Sequence, residues 1–525
     1  MRVERERAGD AAHQRPLQHE VSAVNICTWP EITSVIAWGE LRSGMTVRLI
    51  PATEASISVD NAARSTGAAH GCDPSALQPD PPDAPMHHDH RGNPVTITRP
   101  ATLDAIDRFT SALLAYGTDL PVILTAAEAD PGAPYANACA AMLHLFGEDR
   151  GGPDRARPFA EAAVAAGGTE RERAVAAATM AWVAGDGAVA LDLYERAARA
   201  NPRDLFTAKV AQVHALNAGA FGRMLRIADA VGPANAADAH WHAMRAFPLE
   251  QLHRLDEAAA AAHTALALDP SEPWAHHALA HVMETRGQVD DGIAMMRAAS
   301  SHWERLNSFM KCHNWWHLAL YHLDRDETDE ARHLFDTRIW GVEKAYSQDQ
   351  AGATALLVRL ELMGVTVADR WAADRWADVG AHVAARGHDH VLPFLDLHYV
   401  AALARTDPPA ARAYARGIAA HAGGRAGRER EAWDVAAALA RGIVAQADGD
   451  GEGAVAAMAP VIAHHAKVGG SHAQRDLFDQ IHEAALIQAG RWEEAALRVG
   501  LRRLTRPGTP HLGRTMARVE MGLGA

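Results

Sequence analysis

RERAVAAATMAWVAGDGAVALDLYERAARANPRD (residues 171–204) and AHWHAMRAFPLEQLHRLDEAAAAAHTALALDPSE (residues 239–272) decide the fold class when one is laid over the other. Counted from Arg171, Ala190, Tyr194, Ala197 and Pro202 fall at positions 20, 24, 27 and 32. Counted from Ala239, those positions hold Ala258, Ala262, Ala265 and Pro270. The two starts are 68 residues apart, two periods of 34. Gly185, Gly219 and Gly287 keep the phase at intervals of 34 and 68 and mark the turn between paired helices. The copy that starts at Leu205 lacks the proline but holds the phase, and Gly490, Ala495, Val499, Arg502 and Pro507 repeat the spacing near the C-terminus.

A 34-residue helix pair with small residues at these positions is the tetratricopeptide motif. One pair cannot bury its apolar face alone, so copies stack and share a core. Composition agrees: of 525 residues 48% are hydrophobic, much of that alanine, and only 6% aromatic. Alanine is the best helix former and lets helices approach closely. The fold expected is therefore an all-α superhelix of tetratricopeptide-like helical hairpins over residues 86–525. It is regular from about 134 to 306 and built of irregular hairpins from 307 to 525. The segment TRPATLDAIDRFTSALLAYG, with Asp104 and Asp107 early and Gly117 last, reads as a capped amphipathic helix ahead of it.

Residues 1–85 do not conform. VSAVNICTWPEITSVIAW and MTVRLI have the look of short strands, and GCDPSALQPDPPDAP is too rich in proline for helix or ladder. The segment reads as a largely disordered extension, with Met86 as an alternative start. Cys27, Cys72, Cys139 and Cys312 are far apart with no CxxC, which suits a reducing, cytoplasmic setting. No leader-like apolar core and no run of about 18 apolar residues occurs, so no membrane partner is expected. The net charge of −14 argues against a nucleic-acid partner. Oligomeric state is left open.

Positions 2, 5, 9, 12 and 13 of the first helix of such a pair line the concave surface. In the copy from Pro273 these are Trp274, His277, His281, Glu284 and Thr285; in the one before, His240, Ala243, Phe247, Glu250 and Gln251. Four residues apart is one helix face, so His277 with His281, and His313 with His317 in CHNWWHLALYHLD, offer two imidazole pairs to one space. Asn314 and Trp316 lie beside them.

Neutral imidazole is the commonest metal ligand, but HExxH is absent, and hydrogen bonding inside the superhelix accounts for the same histidines. No metal ligand and no cofactor is assigned. A histidine beside a carboxylate, His398 with Asp396 or His281 with Glu284, suits acid–base work near neutrality. Trp274, Trp315 and Trp316 would wall a pocket, or simply pack helices. Arg475 with Asp476 reads as an anion-binding arginine held by its neighbour, or as an ion pair tying helices. The run MHHDH (86–90) looks metal-like but reads as surface coil, and Cys312 as an inert buried thiol.

At HHALAHVMETRGQVDDGI, CHNWWHLALYHLD, LVRLELMGVTVADRW, DLHYVAAL and GGSHAQRDLFDQ the chain resembles the tetratricopeptide repeat protein 38 family, over roughly residues 90–525. The resemblance implies an α-superhelix, a cytosolic location and recurring positions at His277, His281, His313, Asn314, His317, Arg359, Asp396, His398, Arg475 and Asp476. In one place the chain departs: the family's acidic residue about seven before the LxRL arginine is here Gly352, with Asp349 nearby. Two functions follow as expectations. The first is a repeat protein that binds a peptide, protein partner or small ligand in an open, His-rich concave groove. The alternative is an enzyme acting on a small molecule in a closed His/Asp/Arg pocket.

Overall fold

The computed structural model describes residues 87–367 and 374–524. The expectations for residues 1–85 lie outside them. The first element is a β-hairpin, His87–His88 (β1) against Pro94–Val95 (β2). His87 to His90 of the MHHDH run are thus part of a hairpin rather than coil, and Met86 lies outside the described residues. Asp89 is spent on its own turn, accepting from the Asn93 and Arg91 amides, and His90 Nδ1 lies 3.0 Å from Asp107.

Everything else of regular structure among the described residues is helix. α1 (Pro100–Leu114), α2 (Val122–Ala129), α3 (Pro134–Leu145) and α4 (Gly152–Ala166) come first. Four in-phase pairs follow: α5 (Glu170–Val183) with α6 (Gly187–Ala200), α7 (Leu205–Asn217) with α8 (Phe221–Asn235), α9 (Ala239–Gln251) with α10 (Leu255–Leu268), and α11 (Pro273–Thr285) with α12 (Val289–Ala299). The remainder is α13 (Ser308–Asp324), α14 (Thr328–Leu334), α15 (Ser347–Leu362), α16 (Arg375–Ala384), α17 (Pro393–Thr406), α18 (Pro408–Gly423), α19 (Gly427–Ala447), α20 (Gly451–Met458), α21 (His472–Gln488), α22 (Trp492–Thr505) and α23 (Pro510–Gly524). No helix among the described residues is long and apolar enough to cross a membrane.

Local chemistry explains the elements. The phase residues Ala190, Tyr194, Ala258, Ala262 and Ala265 are all fully buried where paired helices touch. Gly185, Gly219 and Gly287 turn the chain at φ of 78°, 63° and 68°, and His253 takes the equivalent place in the third pair at 57°. Asp104 and Asp107 do not cap α1. The chain entering the helix is tied instead to Asp130, at the end of α2, which accepts from the amides of Thr98 and Arg99 ahead of α1 and from the Thr102 hydroxyl in its first turn. α14 ends at Leu334, because the next five residues, Phe335–Ile339, wind as a π turn.

The superhelix closes on itself. The C-terminal half runs along the inter-helix turns of the four regular pairs, in order. The Gly187 amide donates to Glu429 (3.1 Å), Gly219 sits under the Ala466 carbonyl, His253 stacks on His472, and Gly287 sits under the Pro507 carbonyl. Elsewhere Ser347 and Gln348, the first two residues of α15, each donate at 2.7 Å to Glu148 in the α3–α4 connection. A Cβ on Gly287 would lie 2.1 Å from the Pro507 oxygen, whereas one on Gly185 would meet only an arginine side chain at 3.8 Å. Gly287→Ala is therefore expected to lose more than about 2 kcal/mol in denaturant unfolding. Gly185→Ala should lose only the about 1–2 kcal/mol of left-handed backbone strain.

Candidate functional site

Two apolar cores meet at α11 and α13. Trp274, Ala278 and Met310 belong to the core of the regular pairs, Ala280 and Trp316 to that of the C-terminal half. At this junction stand the histidines. Helical spacing aligns His277 with His281 and His313 with His317, and the Asn307 cap (accepting from Met310 at 3.0 Å) fixes where α13 starts. His277 Nε2 lies 3.2 Å from His281 Nε2 and 3.1 Å from His313 Nε2. The His317 ring is centred 4.5 Å from His281 and 4.9 Å from His277. His277, His281 and His317 are at most 1% exposed, and only His313 reaches intermediate exposure.

The open groove expected from the repeats is not there. The inner-face positions Trp274, His277, His281, Glu284 and Thr285 are buried: Tyr116 stacks on Trp274, the α13 histidines stand against His277, and α21 and the segment after α22 reach His281 and Glu284. His472 at the start of α21 bonds Glu250, and Arg506 pairs with Glu284 at 2.5 Å.

Carboxylate partners also differ from those expected. Glu284 faces His317 Nδ1 at 3.6 Å, not His281, while His281 faces Glu250 at 3.7 Å. Asp396 turns away from His398 and holds His390 (2.6 Å) and Tyr414 (3.0 Å). His398 Nδ1 bonds the Phe394 carbonyl (2.8 Å), its ring beside Phe478. Residues two apart on a helix point to opposite sides, so this pair was never available. Arg475 and Asp476 likewise diverge: Arg475 bonds the Gly470 carbonyl, and Asp476 holds Arg502 in a fork at 2.8 and 3.1 Å. Arg359 donates to the carbonyls of Ala355 (3.2 Å) and Ala473 (2.8 Å) beside the Trp316 ring.

Burial, reinforced by their mutual proximity, pushes His277, His281 and His313 well below the ordinary histidine value, so all three are neutral at pH 7. Burial alone would raise Glu284 and Asp476, but arginines reverse it: Arg506 holds Glu284 down, and Arg502 with Arg506 holds Asp476 far down. Burial lowers Arg359 and Arg475 to about 10. His277 Nδ1, both nitrogens of His317, both amide atoms of Asn314 and the indole N–H of Trp316 are buried with no hydrogen-bond partner. Buried polar atoms rarely stay unpaired, so their convergence marks a place built for something else.

Lys209 was missed in sequence. It is position 5 of the Leu205 copy, the place that His277 holds in its own copy, but that copy lacks the proline that draws attention to a repeat. The ammonium is buried over the rings of Trp274 (4.1 Å) and Tyr116 (4.9 Å), and burial lowers it to about 7. Replacing a buried charge by an apolar side chain of similar size is often stabilising. Lys209→Met is expected to raise stability at pH 7 by about 1–4 kcal/mol, read by thermal and denaturant melts.

A narrow pocket, with free space for no more than about one water, is lined by Phe309, Cys312, His313, Trp316, Asp349 and Gly352. Asp349 is pushed up to about 7 by burial, and neither of its oxygens has a hydrogen-bond partner. A side chain at Gly352 would have open space beside Trp316. The carboxyl at this pocket is Asp349, about one helical turn before Gly352. Burial raises the Cys312 thiol, in keeping with an inert group.

No protein-family model matches the chain. Among solved structures it is similar to a human IFIT1 dimer with PPP-AAAA (12% identity, TM-score 0.38, covering 81% of this chain and 100% of that one). It is also similar to the APC/C hetero-tetramer Cut9–Hcn1 (12%, 0.33, 80% and 91%) and to the P58(IPK) TPR domain (14%, 0.20, 68% and 99%). With TM-scores under 0.5, none of these likenesses assigns a ligand here. Nor does net charge, an average over the whole surface, exclude a nucleic-acid partner as the sequence reading had it. On its own helix order and turn geometry, the chain is an α-superhelix of tetratricopeptide-like helix pairs.

Proposed function

We propose that the protein holds a small ligand at a histidine-lined inner site closed by its own C-terminal helices, rather than a peptide in an open groove. The observation that carries this reading is His317: it is 1% exposed, neither ring nitrogen has a hydrogen bond, Nδ1 meets only Glu284 at 3.6 Å and Nε2 is left over. A residue kept only for packing would not be a polar ring that leaves both nitrogens without partners. Lys209 supports the same reading, since retaining a buried ammonium at the expense of stability is characteristic of functional sites. The resemblance to the tetratricopeptide repeat protein 38 family belongs to this proposal and rests on the motif set alone.

Thermal-shift screening of the full chain against small carboxylates, amines and carbonyl compounds tests it. A ligand at a hundredfold its dissociation constant stabilises the fold by about 2.7 kcal/mol. The expected result is a shift in the wild type that is lost in His317→Phe. His313→Gln, at a partly exposed ring, serves if the first variant does not fold. If the only binders are peptides or RNA oligomers whose shifts survive both substitutions, the inner site is not the binding site.

A further inference from the structure

We propose that His277, His313 and His317 bind one divalent transition-metal ion of the zinc class, its fourth position open to the narrow pocket beside His313. The proposal rests on the inner-site reading above and specifies what that site holds. Each of the three rings offers a nitrogen, and these atoms lie within 4.8 Å of one another. Tetrahedral coordination at about 2.0–2.1 Å sets nitrogen ligands about 3.3 Å apart. The His277 Nε2 to His313 Nε2 separation is 3.1 Å, close to that value. His277 Nε2 also faces His281 Nε2 at 3.2 Å. One imidazole nitrogen cannot form a good hydrogen bond to two others, whereas it can direct its lone pair at an ion.

The surroundings are those of a metal centre. Glu284 Oε2 lies 3.6 Å from His317 Nδ1, so a small shift of either side chain would make it the carboxylate that orients a ligating histidine and leaves Nε2 for the ion. Arg506 in turn holds Glu284. Three protein nitrogens with a fourth place for water is the pattern of catalytic rather than structural zinc, and the pocket has room for that water. An all-imidazole set suits zinc and its neighbours rather than calcium or magnesium, which take oxygen ligands. The neighbouring group of Glu250, His281 and His472 is a weaker candidate. Its carboxylate already accepts from Thr285 (3.1 Å) and Gln251 (2.8 Å) and bonds His472.

The test uses the full chain stripped by chelator, with His87, His88 and His90 changed to glutamine so that the hairpin histidines contribute nothing. Co2+ is titrated in by calorimetry and visible absorption. One equivalent and the intense absorption of four-coordinate Co2+ are expected. Glu284→Gln should weaken binding by about 10–100-fold, and His317→Ala by more than that. Circular dichroism confirms that each variant folds, and His313→Gln replaces any that does not. A folded parent chain that takes up no Co2+, or uptake unchanged in His317→Ala and His277→Ala, overturns the metal site. A small-molecule thermal shift that persists in chelated protein also counts against the ion while leaving the inner-site reading intact. Loss of every small-molecule shift alongside normal Co2+ uptake does the reverse.

Discussion

Arg502→Met is expected to cost about 3–5 kcal/mol of stability at pH 7. Arg502 forks onto Asp476 and donates to Glu483 at 2.6 Å, and both carboxyls are buried. Removing the cation leaves Arg506 and Arg359 to hold Asp476, and nothing named for Glu483, which burial already pushes up to about 7. The penalty should shrink in acid, where the orphaned carboxyls take up protons. Denaturant unfolding at pH 7 and pH 5 measures both. A double change, Arg502→Met with Asp476→Leu, should lose clearly less than the sum of the single losses, because removing both partners no longer strands a charge. Additive losses would mean that the network does not couple α21 to α22.

Acidification from pH 6.5 towards 4 is expected to destabilise the protein steeply. Burial lowers His214, His276, His398 and His482 to about 4, from an ordinary value near 6.5. A depressed folded pKa means that the unfolded chain takes the proton first. The stability these rings contribute is complete above 6.5 and drains away as pH falls to 4, each ring adding up to about 1.4 kcal/mol per pH unit. His277, His281 and His313 act in the same direction. Asp324, Asp349 and Glu483 act in the opposite one: burial raises each to about 7, so their contribution is full in acid and lost as pH rises to 7. His421 and His511, also lowered to about 4 by burial, add to the loss, and Glu148, Asp389 and Asp396, raised by burial, to the gain; the lowered histidines are the more numerous and leave a net loss on acidification. Unfolding free energies at half-unit pH steps, with metal chelated, give the slope. His214→Phe, placed between Trp182 and Tyr194, should flatten it by about one proton.

How far the sequence could be read depended on the range of the interactions involved. The 34-residue phase reports contacts between consecutive helices, so the helix pairs, their turns and the inward positions of His277 and His281 were legible. Partner choice was not. Glu284 goes to His317 because α13, outside the regular pairs, reaches it, and to Arg506 because the segment after α22 does, a partner 222 residues on that no repeat phase picks out. Asp396 with His398 and Arg475 with Asp476 failed for a simpler reason, since neighbours one or two apart on a helix diverge. Lys209 was hidden in the least regular copy. The sealing of the groove depends on single backbone approaches, Ala466 over Gly219 and Pro507 over Gly287, which the glycines permit but do not announce.

An open stack of helix pairs can gain or lose a unit during evolution, since each unit touches only its neighbours. Here Glu148 is bonded to residues 347 and 348, and four successive turns are matched one by one to later segments. Duplicating or deleting one 34-residue unit would throw every later match out of step. Descendants of this chain are therefore held to a fixed number of units, as a ring is and a row is not.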